Sequence, residues 1–258
     1  MRFPALHPRA QPDQTVPANG SAELRAMWLD ARKLADRVGS PDHWAKPFYS
    51  SAATFVAPAP RAFIGLNGAG DRFAHQYDID DGNDDRIWSE PLYNAFLDDR
   101  WGDGRKVYAP GTHSHQRAIQ TVFRAMYRDA WESVLRGSAC FNIMPVSSRG
   151  QSDPLVAHVW LDGLRWGTEL LAYLRPRLVI LNGNGETGRS AWSAIHAAFG
   201  IRETIAPIPL ENPFFRLREG SIMSGPASGT RVIGLPHLSR NKASAALIRG
   251  LEDFRPFE

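Results

Sequence analysis

Four brief runs of apolar, β-branched and aromatic residues constrain the fold more than any other feature of this sequence. They occupy 61–66 (RAFIGL), 139–143 (ACFNI), 177–181 (RLVIL) and 230–235 (TRVIGL), and each is followed by a Gly, Pro or Asn break. Runs this short, without strict alternation, read as strands buried on both faces. Between them, apolar residues recur at three- and four-residue spacing, most clearly over 21–38, 112–136, 155–174, 190–199 and 242–254. That spacing gives a helix one apolar face. Strands alternating with helices predict an α/β fold, a three-layer α/β/α arrangement around a central, mostly parallel four-stranded sheet. No internal repeat is evident. Ligands in such folds bind beyond the C-terminal ends of the strands, so the residues following each strand are the first candidates for chemistry.

A chain of 258 residues with 43% hydrophobic and 22% charged side chains is sized for one large domain with a packed core. We expect an irregular arm over 1–20 and a single α/β domain over 21–258. No apolar run approaches the roughly 20 residues of a membrane-spanning helix. The proline-broken start MRFPALHPRAQPDQTVP does not read as a signal peptide. A cytoplasmic protein without a membrane partner is the expectation. Cys140 is the only cysteine, which excludes an internal disulfide and a cysteine-ligated iron–sulfur cluster. The formal charge of +3 permits an anionic partner without demanding one. The basic stretches FFRLREG, SRNK and SSRG, set against the acidic DIDDGNDD, permit a local basic face despite the small net charge. Oligomeric state is not fixed by the sequence; a monomer is expected.

One stretch invites a nucleotide-binding reading. Residues 183–190 spell G-x-x-x-x-G-R-S between a strand and a helix, one residue short of a P-loop. A P-loop needs a lysine that reaches the terminal phosphates, and the planar fork of Arg189 is not interchangeable with a compact ammonium. It also needs a partner strand ending in a magnesium-binding Asp. The strand tips instead carry Asn67, Asn142, Asn182 and His237. A glycine turn joining strand to helix is the expectation, with no nucleotide cofactor.

The tips form a constellation of their own: GLNGAGDRF after the first strand, FNIMPVSSRG at the second and GLPHLSR at the fourth. Two asparagines and a histidine would converge at one sheet edge. This arrangement resembles the uracil-DNA glycosylase superfamily, whose members carry a motif like G-L-N-P-G, a strand ending in a base-reading Asn, and a late H-P-S. Gly65-Leu66-Asn67 matches the first, Asn142 the second and His237-x-Ser239 the third. The likeness spans about 60–255 and includes LRPRLVILNGNG, a strand and small-residue turn of the kind that precedes the last motif.

The resemblance implies a DNA partner, no cofactor and no metal. It makes Asn67 and His237 the catalytic pair. Asn67 would hold the attacking water by its amide oxygen, and neutral His237 would donate to the base carbonyl as charge develops. Asn142 offers both a donor and an acceptor to a pyrimidine edge. Gly65, Leu66 and Gly68 would shape the base pocket, with Phe73 or Tyr77 as the stacking aromatic. Ser239, Arg240 and Lys242 at the following helix start, together with Arg149, would hold phosphates. Leu238 or Arg240 would be the wedge that fills the gap left by the flipped base. The asparagine at position 67 points to the mismatch-specific and thymine-DNA glycosylase branches. Taken singly, each residue also has an ordinary reading: an Asn after a strand is often only a turn residue.

The sequence departs from the family at the proline after Asn67, replaced by Gly68-Ala69-Gly70, and at the proline of H-P-S, replaced by Leu238. A first loop almost without side-chain volume leaves room at the 5-position of the base. Elsewhere, the acidic run DIDDGNDDRIWSE fails the register of a calcium loop, because its glycine is fifth and Ser89 twelfth. His113-x-His115 lacks identifiable further ligands, so no metal is assigned. The segment DDRWGDGRKVYAPGTHSHQ has the look of an added lid or recognition loop.

The expected function is a monofunctional DNA glycosylase, since no lysine holds a motif position for a Schiff base. The favoured substrate is a bulky 5-substituted cytosine such as occurs in modified phage genomes, which would make the enzyme one of antiviral defence. The alternatives are excision of uracil or mismatched thymine in repair, and a catalytically silent DNA-binding protein of the same fold. A nucleotide-dependent enzyme is the third reading.

Overall fold

The computed structural model describes residues 21–39, 46–66, 84–102, 106–148, 154–185, 190–205, 207–210, 216–238 and 243–253. The strands are β1 (Arg61–Gly65), β2 (Trp101–Gly102), β3 (Val107–Tyr108), β4 (Ala139–Asn142), β5 (Leu178–Asn182), β6 (Ile201–Glu203), β7 (Ile208–Pro209), β8 (Arg216–Ile222) and β9 (Arg231–Leu235). The helices are α1 (Ala22–Val38), α2 (Asp84–Ser89), α3 (Ala95–Asp98), α4 (Ser114–Tyr127), α5 (Trp131–Arg136), α6 (Pro154–Ala157), α7 (Trp160–Leu174), α8 (Ala191–Phe199) and α9 (Ala245–Asp253). The chain is mixed α/β with a mostly parallel central sheet.

The four apolar runs become the parallel core, in the order β4-β1-β5-β9. Each is buried along nearly its whole length, which is why it reads as a continuous apolar run. The expectation of four strands needs extending: β8 pairs antiparallel with β9, and β6 and β7 pair antiparallel with β8. The charged sequence RLREGSI conceals β8. Arg218 is only 7% exposed, yet its Nε donates to Glu203 Oε1 at 2.6 Å and its guanidinium lies 4.4 Å from the Trp192 ring centroid. Arg231 pairs with Glu219 at 2.7 Å. Part of the expected basic face at FFRLREG is therefore an internal ion pair.

Helix α1 begins at Ser21, whose hydroxyl accepts the Leu24 N–H, and presents Leu24, Trp28, Ala31, Leu34 and Val38 inward. The helix expected over 112–136 divides at Arg128, a non-glycine residue with φ of 50°, into α4 and α5. The one expected over 155–174 divides into α6 and α7. Helix α7 contacts α1 and α8, while α4 contacts α5 and α9. The connection from β1 to β4 runs in the opposite direction across the sheet from those of β4 to β5 and β5 to β9. Right-handed crossovers therefore put the two helix groups on opposite faces, compatible with three layers. No helix among the described residues is long and apolar enough to cross a membrane.

Candidate functional site

The strand order has one switch point. The connection leaving β1 goes to its neighbour on one side, and the connection leaving β5 goes to the other. The crevice beyond the C-terminal ends of β1 and β5 is where a doubly wound sheet binds ligands. Register fills that crevice with a single row: Asn142 on β4 pairs with Gly65 on β1, Gly65 with Asn182 on β5, and Asn182 with Leu235 on β9. Residues in register share a face, so two amides flank a glycine at a separation of about 10 Å, two inter-strand spacings.

Gly65 is glycine for a steric reason. A Cβ added there would collide with Asn142 Oδ1, which lies over the Gly65 Cα. The Asn142 amide is held from its other end, where Nδ2 donates to Tyr49 Oη at 3.0 Å. Tyr49 in turn stacks on Phe96 with ring centroids 5.4 Å apart. The backbone after Asn142 is pinned as well: Ile143 N–H donates to Gly65 O, and Met144 N–H to Leu66 O. Beneath this turn Gly167 of α7 packs directly on the Ile143 carbonyl, with no room for a side chain.

Asn182 is the other fixed amide. Its Oδ1 accepts the Leu238 N–H at 2.9 Å, which leaves Nδ2 directed at His115 Nε2, 3.2 Å away. An amide nitrogen only donates, so the His115 Nε2 is an acceptor and the ring is neutral with its proton on Nδ1. His115 and His237 have ring centroids 5.9 Å apart. The second imidazole comes from the start of α4, where His113 caps the helix: its Nδ1 accepts the His115 N–H, and Gln116 Oε1 accepts the His113 N–H. That cap is the structural role of His113-x-His115. Gln116 Nε2 reaches back to the carbonyls of Ala95 and Asp99. Asp99 closes a buried network with Lys46 at 2.6 Å and the Tyr93 hydroxyl at 2.8 Å.

The segment expected to be a recognition loop forms the β2–β3 hairpin and the entry to α4. Trp101 from this hairpin sits against both histidines of the cap, 5.6 Å from His113 and 5.8 Å from His115.

Of the residues singled out in the sequence, Gly65, Leu66, Asn142 and His237 occupy the C-terminal sheet edge. Leu238 does not serve as a wedge: its side chain is 1% exposed and packs in the core, and its backbone N–H is used by Asn182. An intercalating wedge must be free to leave the protein surface, which leaves Arg240 as the other residue expected for that role. Arg240 lies outside the described residues, as do Asn67, Gly68, Phe73, Tyr77, Arg149, Ser239 and Lys242. The glycine-rich turn after β5 is described at its ends. Asn184 Nδ2 donates to the carbonyls of Arg216 and Gly234, and Ser190 caps α8. Sequence reasoning missed His115, Asn182 and Tyr49 as members of the site. Asn182 carried a usable signal, since it ends its strand as Asn142 does.

Comparison with protein-family models, with curated proteins and with solved structures returned no match.

Proposed function

We propose that this protein is a monofunctional DNA glycosylase, similar in fold and site to the uracil-DNA glycosylase superfamily. It flips a modified pyrimidine out of DNA and hydrolyses its N-glycosidic bond. A bulky 5-substituted cytosine, as in modified phage DNA, is the favoured substrate, and antiviral defence the favoured role. The observation that carries this reading is the row Asn142–Gly65–Asn182 at the sheet's switch point, with His115 and His237 beside it.

The chemistry asks for few groups. Strand ends that converge on a crevice can take an extruded base. With one N–H of Asn142 held by Tyr49, its Oδ1 is presented over Gly65 as an acceptor. An acceptor there suits the exocyclic amine of a cytosine as well as the N3–H of a uracil, so choice between them falls to the 5-side of the pocket. As the glycosidic bond breaks, its electron pair leaves with the base, and His237 donates a hydrogen bond to the base carbonyl oxygen. Water positioned by Asn67 adds its oxygen to the sugar carbon and gives up a proton to solvent. Neutral His115, held by Asn182, stands next to His237 without adding positive charge.

Single-turnover excision tests this directly. Matched oligonucleotides differ only at the 5-position, from uracil and mismatched thymine to hydroxymethylcytosine and its sugar-bearing form, and abasic sites are counted. Activity should persist or rise as the substituent grows. Efficient excision of uracil with every bulky cytosine ignored would return the protein to ordinary repair, and no abasic sites on any DNA would leave a silent DNA-binding protein.

A further inference from the structure

The opposite end of the sheet is concave as well. Beneath the N-terminal ends of β1, β5 and β9 is a cavity of ≈ 960 Å³, at the upper end of small-molecule pockets. Four guanidiniums line it: Arg61 opening β1, Arg177 just before β5, Arg231 opening β9, and Arg128 at the turn between α4 and α5. Register pairs Arg61 and Arg231 with the same residue, Leu178, so they flank it on one face of the sheet. Among the described residues the carboxylates there are Glu252 in the lining and Glu219, 2.7 Å from Arg231. Positive charge is in excess.

Two polar atoms at this cavity are buried without a hydrogen-bond partner among the described residues: Arg61 Nε and the Tyr127 hydroxyl. Unpaired buried polar atoms are costly, and a ligand that reached Arg61 and Tyr127 would relieve both; Arg25 Nη1 and the indole nitrogens of Trp28, Trp88 and Trp101 are unpaired in the same way elsewhere. Both groups ask for the same kind of partner. A guanidinium only donates. Burial pushes the Tyr127 pKa up to about 12, against the opposing pull of Arg61 and Arg231, so its hydroxyl keeps its proton and can donate. The Arg61 guanidinium lies 5.5 Å from the Tyr127 ring centroid, over the ring face. Met126 and Leu178 give the cavity an apolar side.

We infer that this cavity is a binding site for a phosphate-bearing small molecule of up to nucleotide size, its phosphoryl oxygens received by Arg61, Arg177, Arg128 and the Tyr127 hydroxyl. Arginine suits phosphate because its fork donates two parallel hydrogen bonds. A concave site favours a small ligand over the convex backbone of a duplex. Five-residue strands separate it from the candidate active site by about 17 Å, so the two are distinct. The inference does not depend on the glycosylase reading.

Calorimetric titration of the full chain with pyrophosphate, ATP and adenosine tests it, alongside a short single-stranded oligonucleotide as competitor. Pyrophosphate and ATP should bind saturably and adenosine should not. The double variant Arg61→Gln/Arg177→Gln should lose at least tenfold in affinity, and Tyr127→Phe severalfold, while both variants keep the wild-type circular dichroism spectrum. His237→Ala should bind as wild type. Absence of saturable phosphate binding, or an affinity unchanged in well-folded arginine variants, would overturn the inference. So would an oligonucleotide that competes with ATP and loses its binding in the same variants, since the site would then belong to DNA.

Discussion

At the scale of single residues, the candidate site depends on which atoms are left to act once the others are held. Asn182 commits its oxygen to Leu238 and its nitrogen to His115, and this fixes His115 as a neutral ring beside His237. Asn182→Asp keeps the acceptor for the Leu238 N–H but replaces the donor facing His115 with a carboxylate oxygen. A carboxylate at that distance favours the protonated imidazole. Positive charge then appears next to His237 at neutral pH and disappears only as pH rises. The acid limb of the base-release profile should move to higher pH in Asn182→Asp, a change that simple misfolding does not produce. A profile that keeps its shape and position would remove His115 from the mechanism. Asn142 follows a related logic, since Gly65 leaves the space its oxygen occupies and Tyr49 holds its nitrogen.

At the scale of elements, the site is assembled by backbones in close approach. Helix α7 carries Gly167 against the Ile143 carbonyl, so the turn that follows Asn142 rests on the helix itself. A methyl at this position has no space, and overpacking of this kind costs about 1–3 kcal/mol. Gly167→Ala should lower the unfolding free energy by that amount and should also reduce base release, because the displaced turn carries Asn142. Denaturant unfolding and single-turnover excision read the two effects, and an unchanged midpoint with full activity would contradict the packing described. The elements differed in how plainly the sequence announced them. The four parallel strands were legible because burial on both faces leaves nothing but apolar residues. Strand β8 was not, since Arg218 and Glu219 sit at ordered positions with partners, Glu203 and Arg231, that only the folded sheet supplies. The division of the 112–136 helix was hidden too, because Arg128 takes a left-handed φ that no residue preference announces. Asn142 and His237 could be placed from their strands alone. His115 could not, as it reaches the site from a helix start far along the β1–β4 connection.

At the scale of the whole molecule, the parallel strands separate two candidate sites, an amide-and-imidazole crevice at their C-terminal ends and an arginine-lined cavity at their N-terminal ends. The core between them holds Cys140, whose thiol burial pushes from 9.0 up to about 12, with weaker opposing pulls from Asn94 and Ser50. A thiol that holds its proton more tightly when folded contributes stability that is complete below pH 9 and lost as pH rises towards 12. Tyr127, raised from 10.0 to about 12, adds to the same alkaline loss. Unfolding free energy should therefore fall above pH 9, and Cys140→Ala should flatten that slope; an equal slope in the variant would contradict the burial of the thiol. The central claim is that the crevice at the switch point releases bases, and it is tested most directly by single-turnover excision on the preferred modified oligonucleotide with DNA affinity measured in parallel. His237→Ala and Asn67→Ala should each slow base release by about a hundredfold or more, as loss of a single group acting on developing charge typically does, while DNA affinity changes little. Near-normal excision in both variants would contradict the account.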